Sequence, residues 1–275
     1  MEARSPVEIL AYTSDVGVTK AQRKFVPVMI LSFFAGAFIA FAAEGSNMAA
    51  YNLLSNPDTY GLGRVLAGAV FGTGLMMVLL AGGELFTGNM LIIVAVMDKK
   101  TSVQKMLLNW ILVFIGNLLG SLFLAWMMYH SGLFNSSGGL LGGMTIRIAA
   151  NKTALPFHSA FLLGLMCNWL VCLAVWVSFG AKDIIGKAFA IFFIIGLFVT
   201  SGFEHSIANM YYIPAGILAK QVPQWVEMSK VASGTLANLN WVSFFTNNLL
   251  PVTLGNMFGG IIMVGVLYQL ALKKK

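Results

Sequence analysis

Two seven-residue stretches carry ionisable and amide side chains through otherwise apolar surroundings. They read Glu-Leu-Phe-Thr-Gly-Asn-Met at 84–90 and Glu-His-Ser-Ile-Ala-Asn-Met at 204–210, and they lie 120 positions apart. Each has a Glu followed five and six residues later by Asn-Met. Carboxylate, imidazole, hydroxyl and amide groups at this spacing can hold a small ion or pass a proton. At bilayer depth such groups are expensive, so a functional reading is the default. Two interrupted apolar segments at matching places in two halves of a chain point to a transport site.

The elements that must position these residues follow from composition. The 275-residue chain is 58% hydrophobic and only 10% charged, with a mean hydropathy of +0.82. Soluble domains carry roughly 25% charged residues. Six apolar stretches, at about 26–54, 62–97, 106–130, 156–181, 188–219 and 244–271, each exceed the roughly 20 residues that cross a bilayer core. They predict one all-α transmembrane domain over 1–275, with a polar, short helical segment over 1–25 in place of a cleavable signal peptide. The +7 net charge is distributed as a membrane protein requires, which argues against nucleic acid as partner. Of the 17 basic residues, only Arg64, Arg147, Lys152, Lys220 and Lys230 fall on one side. The other side takes the N-terminal segment, the 98–105 loop, the 182–187 turn and the Lys273–Lys275 tail, so both termini are expected in the cytoplasm of a multi-pass cell (inner) membrane protein. Cys167 and Cys172 are expected to stay unpaired, behaving as small apolar residues.

The halves correspond further. Gly-Asn-Leu-Leu-Gly at 116–120 is answered by Gly-Asn-Met-Phe-Gly at 255–259. Glu44 with Asn47, and Asn168, interrupt the first and fourth stretches. The order is helix, broken helix, Gly-Asn helix, twice over. Three spans per half force opposite orientations, so the expected architecture is an aquaporin-like 3+3 inverted repeat with broken second and fifth helices. Helices restarting inside the membrane aim N–H groups and a positive dipole end at the centre, which attracts an anion. Glu84 and Glu204 are expected to cap the amides of the breaks, with Asn89 and Asn209 structuring the same loops. His205 can carry or release a proton near neutral pH. Thr87 offers its hydroxyl to a ligand or to the imidazole. Phe71, Leu75, Leu85, Phe86 and Phe198 are either core contacts or rings that constrict a pore.

Three segments carry a resemblance: Gly-Gly-Glu-Leu-Phe-Thr-Gly-Asn at 82–89, Cys-Asn-Trp-Leu-Val-Cys-Leu-Ala-Val-Trp at 167–176 and Gly-Phe-Glu-His-Ser-Ile-Ala-Asn-Met at 202–210. Together they resemble the signatures of the formate–nitrite transporter family across essentially all six spans. The resemblance implies a homopentamer with one pore per subunit, passing formate, nitrite or hydrosulfide. It implies Leu75, Leu85 and Phe86 at a cytoplasmic constriction, Phe71 and Phe198 at an outer one, and Thr87 with His205 between them. Asn168 and Lys152 are implied to line the outer approach. The Gly-Glu-Leu-Phe-Thr-Gly-Asn loop stands nearer the nitrite, hydrosulfide and formate-dehydrogenase-associated branches than formate channels reading Ala-Asp-Leu-Phe-Thr-Ser.

The expected function is passage of the anion of a small weak acid, formate first, with Lys152 gathering the anion and His205 relaying a proton to it. The alternatives are nitrite, hydrosulfide, or a neutral solute. A neutral-solute channel would carry Asn-Pro-Ala in both breaks, and neither break contains proline. An enzyme is not expected: His205 and Ser206 are sequence neighbours, which rarely face each other on a helix. No cofactor, metal or catalytic group is expected either.

Overall fold

Helices begin and end where the sequence offers caps. The computed structural model describes residues 3–273. Among them there is no strand. Helix α1 (Pro6–Ala21) opens on a capping box, in which the Ser5 side chain accepts from the Glu8 amide and Glu8 Oε2 accepts from the Ser5 amide at 2.7 Å. Six long apolar helices follow: α2 (Phe25–Leu54), α3 (Pro57–Gly82), α5 (Val103–His130), α7 (Phe157–Gly180), α8 (Ile184–Ser201) and α12 (Trp241–Leu272). Between them lie α4 (Gly88–Met97), α6 (Ser136–Thr153), α9 (Ser206–Ala219), α10 (Pro223–Ser229) and α11 (Ser233–Asn238). Large apolar side chains such as Ile185, 76% exposed, and Val242, 71% exposed, face outward. A lipid surround, in which only helices or closed barrels satisfy the backbone, accounts for both features.

Both breaks turn on glycine. α3 ends at Gly82, φ +96°, and α8 at Gly202, φ +84°, a conformation that side chains disfavour. The chain then runs extended and restarts as α4 and α9, which continue away from the centre in opposite directions. Two helix pairs hold this arrangement. A Cβ on Gly120 of α5 would strike the Phe33 carbonyl and, at 2.9 Å, the Ala37 nitrogen of α2. One on Gly259 of α12 would strike the Leu165 carbonyl and, at 2.9 Å, the Trp169 nitrogen of α7. Small residues at such crossings let backbones touch.

Helix α1 packs against α4 and α7 on the face where α12 ends, called the terminal face below. Asp98, in the turn after α4, accepts from Gln269 Nε2 at 2.7 Å and from Lys273 Nζ at 2.6 Å. Lys100 donates to Asp15 of α1 at 2.8 Å. Lys274 and Lys275 of the basic tail lie outside the described residues.

Candidate functional site

The helix restarts meet at the centre of the protein. His205 is the N-cap of α9, its Nδ1 accepting from the Ala208 amide at 3.1 Å. An amide can only donate, so the neutral ring carries its proton on Nε2. That nitrogen faces Thr87 Oγ1 at 3.0 Å, at the start of α4. The Thr87 hydroxyl accepts from the imidazole and keeps its own proton to donate. One free neutral donor, the Thr87 hydroxyl, therefore stands between two helix N-termini, oriented by the imidazole N–H that it accepts. Thr87 and His205 are both buried.

Apolar side chains close the site on either side. Phe71 and Phe198 meet edge to face, centroids 5.6 Å apart, and the Phe198 ring lies 6.1 Å from the His205 ring. Beyond them, on the distal face, opens a cavity of about 430 Å³ that Arg64, Arg147, Lys152, Glu204 and His205 help to line. Toward the terminal face, Leu75 and Leu85 line a small pocket of about 30 Å³, with Lys20 and Asn89 among its walls.

The breaks are held by two asparagines. Asn117 Oδ1 accepts from the Phe86 amide at 2.9 Å, while its Nδ2 donates to the carbonyls of Ser32 at 2.8 Å and Glu84 at 2.9 Å. Asn256 Oδ1 accepts from the Ser206 amide at 2.9 Å, and its Nδ2 donates to the carbonyls of Gly164 at 2.7 Å and Glu204 at 3.0 Å. Each amide thereby accepts one N–H and donates both of its own, tying a break to a helix carbonyl of α2 or α7.

Comparison with known proteins decides the family. A family profile described as Formate/nitrite transporter matches residues 7–270. The chain belongs to this family. A "Probable formate transporter" of Methanothermobacter thermautotrophicus is 37% identical over 279 residues, 96% of each chain. The "Formate channel FocA" of Haemophilus influenzae is 37% identical, covering 96% of this chain and 93% of the relative. Among solved structures, a "Pentameric formate channel with formate bound" matches with a TM-score of 0.80 at 37% identity, over 90% of this chain and 97% of that one.

Within this formate/nitrite transporter, two sequence expectations need correction. Glu84 and Glu204 do not cap the loop amides; the asparagines do. Glu84 instead accepts from Lys20 Nζ at 2.8 Å and Asn89 Nδ2 at 2.7 Å, with Arg23 Nε at 3.2 Å. Glu204 accepts from Lys152 Nζ at 2.7 Å, Asn209 Nδ2 at 2.7 Å and Asn248 Nδ2 at 3.3 Å. A carboxylate in a dry interior needs cations and full donors more than it serves amides. Asn168 does not line the distal approach. It is fully buried, donating to the Thr87 carbonyl at 3.2 Å and the Asn256 carbonyl at 2.7 Å. The Phe86 ring packs on Phe114 with centroids 4.9 Å apart.

Sequence reasoning missed Lys20, Asn109 and Asn248. Asn109 Oδ1 accepts from Asn89 and its Nδ2 donates to the Lys20 carbonyl at 3.1 Å. Asn248 Oδ1 accepts from Asn209 and its Nδ2 donates to the Lys152 carbonyl at 3.0 Å. A signal was present: each sits eight residues before the asparagine of a Gly-Asn pair, Asn117 or Asn256. Lys20 and Lys152 likewise stand eleven residues before Leu31 and Leu163. The carbonyls of those leucines accept from the Glu84 and Glu204 amides at 3.1 and 3.3 Å.

Proposed function

We propose that this protein passes the anions of small weak acids, formate first, across the cell membrane. Each subunit of a homopentamer has its own pore, and both termini face the cytoplasm. The observation that carries the reading is the Thr87–His205 pair at 3.0 Å, enclosed by Phe71 and Phe198 on one side and Leu75 and Leu85 on the other. Two helix N-termini and the uncharged Thr87 hydroxyl donor suit a monovalent anion. An inverted repeat is supported by the bonds the halves share: a lysine and an asparagine on each glutamate carboxylate, a leucine carbonyl on its amide and an asparagine on its carbonyl. Relatives named as formate channels, and a pentameric one among the solved structures, support both substrate and assembly.

Proton transfer through His205 carries a condition. An imidazolium bears protons on both nitrogens, so charging the ring releases the Ala208 amide from Nδ1. His205 is thus a neutral donor while the anion enters. A proton taken up at Nδ1 breaks the cap, and the Nε2 proton then passes to an anion oxygen, leaving the neutral acid and a ring protonated on Nδ1. The neutral acid crosses the apolar constrictions without the several kcal/mol that a bare charge costs there.

The test is proteoliposome flux of formate, nitrite and hydrosulfide at two pH values, for wild type and His205→Phe. Proton-coupled flux is expected to vanish in the variant together with its pH dependence. An unchanged rate and pH profile would sink the relay. Passage of glycerol but of no anion would replace the anion reading with a neutral-solute one.

A further inference from the structure

The distal cavity holds three cations and one carboxylate among its lining residues, Arg64, Arg147 and Lys152 against Glu204. Their hydrogen bonds divide the cations into two kinds. Lys152 is bound to Glu204 at 2.7 Å. Arg64 gives two of its three guanidinium nitrogens to the last carbonyls of α8, donating through Nε to Thr200 at 3.2 Å and through Nη2 to Val199. Arg147 differs. Its Nε donates to the Ser229 carbonyl at 3.0 Å, and its two terminal nitrogens have no hydrogen-bond or ion-pair partner among the described residues. One turn further along α6, Asn151 lines the same cavity and is likewise unpartnered among the described residues. Opposite on α2, Asn47 also lines it, 3% exposed, with an Nδ2 that finds no acceptor. Free donors thus gather in one cavity around Arg147, which has both terminal nitrogens open where Arg64 has only Nη1.

We propose that Arg147, with Asn151 and Asn47, forms a docking site for planar two-oxygen anions ahead of the Phe71–Phe198 closure. This deepens the anion reading above and rests on it. A guanidinium presents parallel N–H groups that match the two oxygens of formate or nitrite, while a one-centre anion such as hydrosulfide engages only one of them. The site therefore favours oxyanions at entry, whatever the central pair accepts.

The experiment is the concentration dependence of formate, nitrite and hydrosulfide flux in proteoliposomes, for wild type, Arg147→Lys and Asn151→Asp. Lysine keeps the charge and loses the fork. Aspartate at 151 places a carboxylate one helical turn from Arg147, where it occupies the fork without touching the Ser229 bond. Both variants are expected to raise the half-saturation for formate and nitrite about three- to tenfold, as lost charge-assisted hydrogen bonds imply. Maximum rates should be kept, and the hydrosulfide half-saturation in Arg147→Lys should change less. Wild-type half-saturation in both variants would overturn the site. So would an equal shift for hydrosulfide in Arg147→Lys, or a fall in maximum rate alone. Wild-type vesicles that pass no formate or nitrite would instead overturn the parent reading.

Discussion

Asn117 and Asn256 show how much one amide can do when backbone leaves a helix inside a membrane. Each satisfies one N–H and one carbonyl at a break, where there is no water to turn to, and anchors them on a carbonyl of α2 or α7. Removing such a partner strands buried groups at about 1–3 kcal/mol each. Asn256→Ala is therefore expected to destabilise the protein by about 3 kcal/mol or more, read as a lower thermal midpoint in detergent. Asn256→Asp should also fail, since a carboxylate can accept from Ser206 but cannot donate to Gly164 and Glu204. A midpoint unchanged in both would show that the break is held by other contacts. The Gly-Asn motifs were legible in the sequence as a repeated pattern. Their partners were not, because the carbonyls each one binds belong to two other segments of chain, a helix and a break.

At the scale of elements, helix approach and the terminal-face contacts set what the breaks can rest on. Gly120 and Gly259 lie against backbone that cannot yield. Gly120→Leu should force α2 and α5 apart, giving aggregated material on gel filtration where the wild type elutes as one species. On the terminal face, burial raises the Asp98 carboxyl, but the hydrogen bonds and charge of Lys273, with the Gln269 amide, outweigh it and hold it below its ordinary range. A group depressed in the folded state stabilises above its unfolded pKa and loses that contribution as pH falls through its folded one. Packing of α1, the 98–100 turn and the end of α12 should accordingly loosen below about pH 4. Hydrogen exchange of α1 measures this, and Asp98→Asn should flatten its pH dependence. The acidic and basic residues of this face were visible in sequence; which ones met was decided by the return of α12 to the side of α1.

In the whole molecule, the same cluster is built twice around different neighbours. Glu84 has Lys20 and Arg23, whereas Glu204 has Lys152 as its sole ion-pair partner among the described residues. Breaking a buried pair leaves an uncompensated charge worth several kcal/mol. Lys152→Met should cost about 3 kcal/mol, toward the low end because the lysine is 16% exposed. Lys20→Met should cost less, since Arg23 remains. Equal midpoints for the two variants would contradict the asymmetry.

What the sequence determined by itself is the part governed by local composition and spacing. Runs of apolar residues longer than a bilayer dictate helices, glycines dictate where two of them break, and the paired Glu…Asn-Met segments mark the site. What only tertiary structure decided is the allocation of partners. A carboxylate binds whichever cation the fold brings within about 3 Å. Lys20 and Lys152 reach Glu84 and Glu204 from helices remote in sequence, so the glutamates tie helices together where local reading made them caps. Asn168 turned inward for the same reason: the Thr87 and Asn256 carbonyls it satisfies become neighbours only once α4, α7 and α12 are packed.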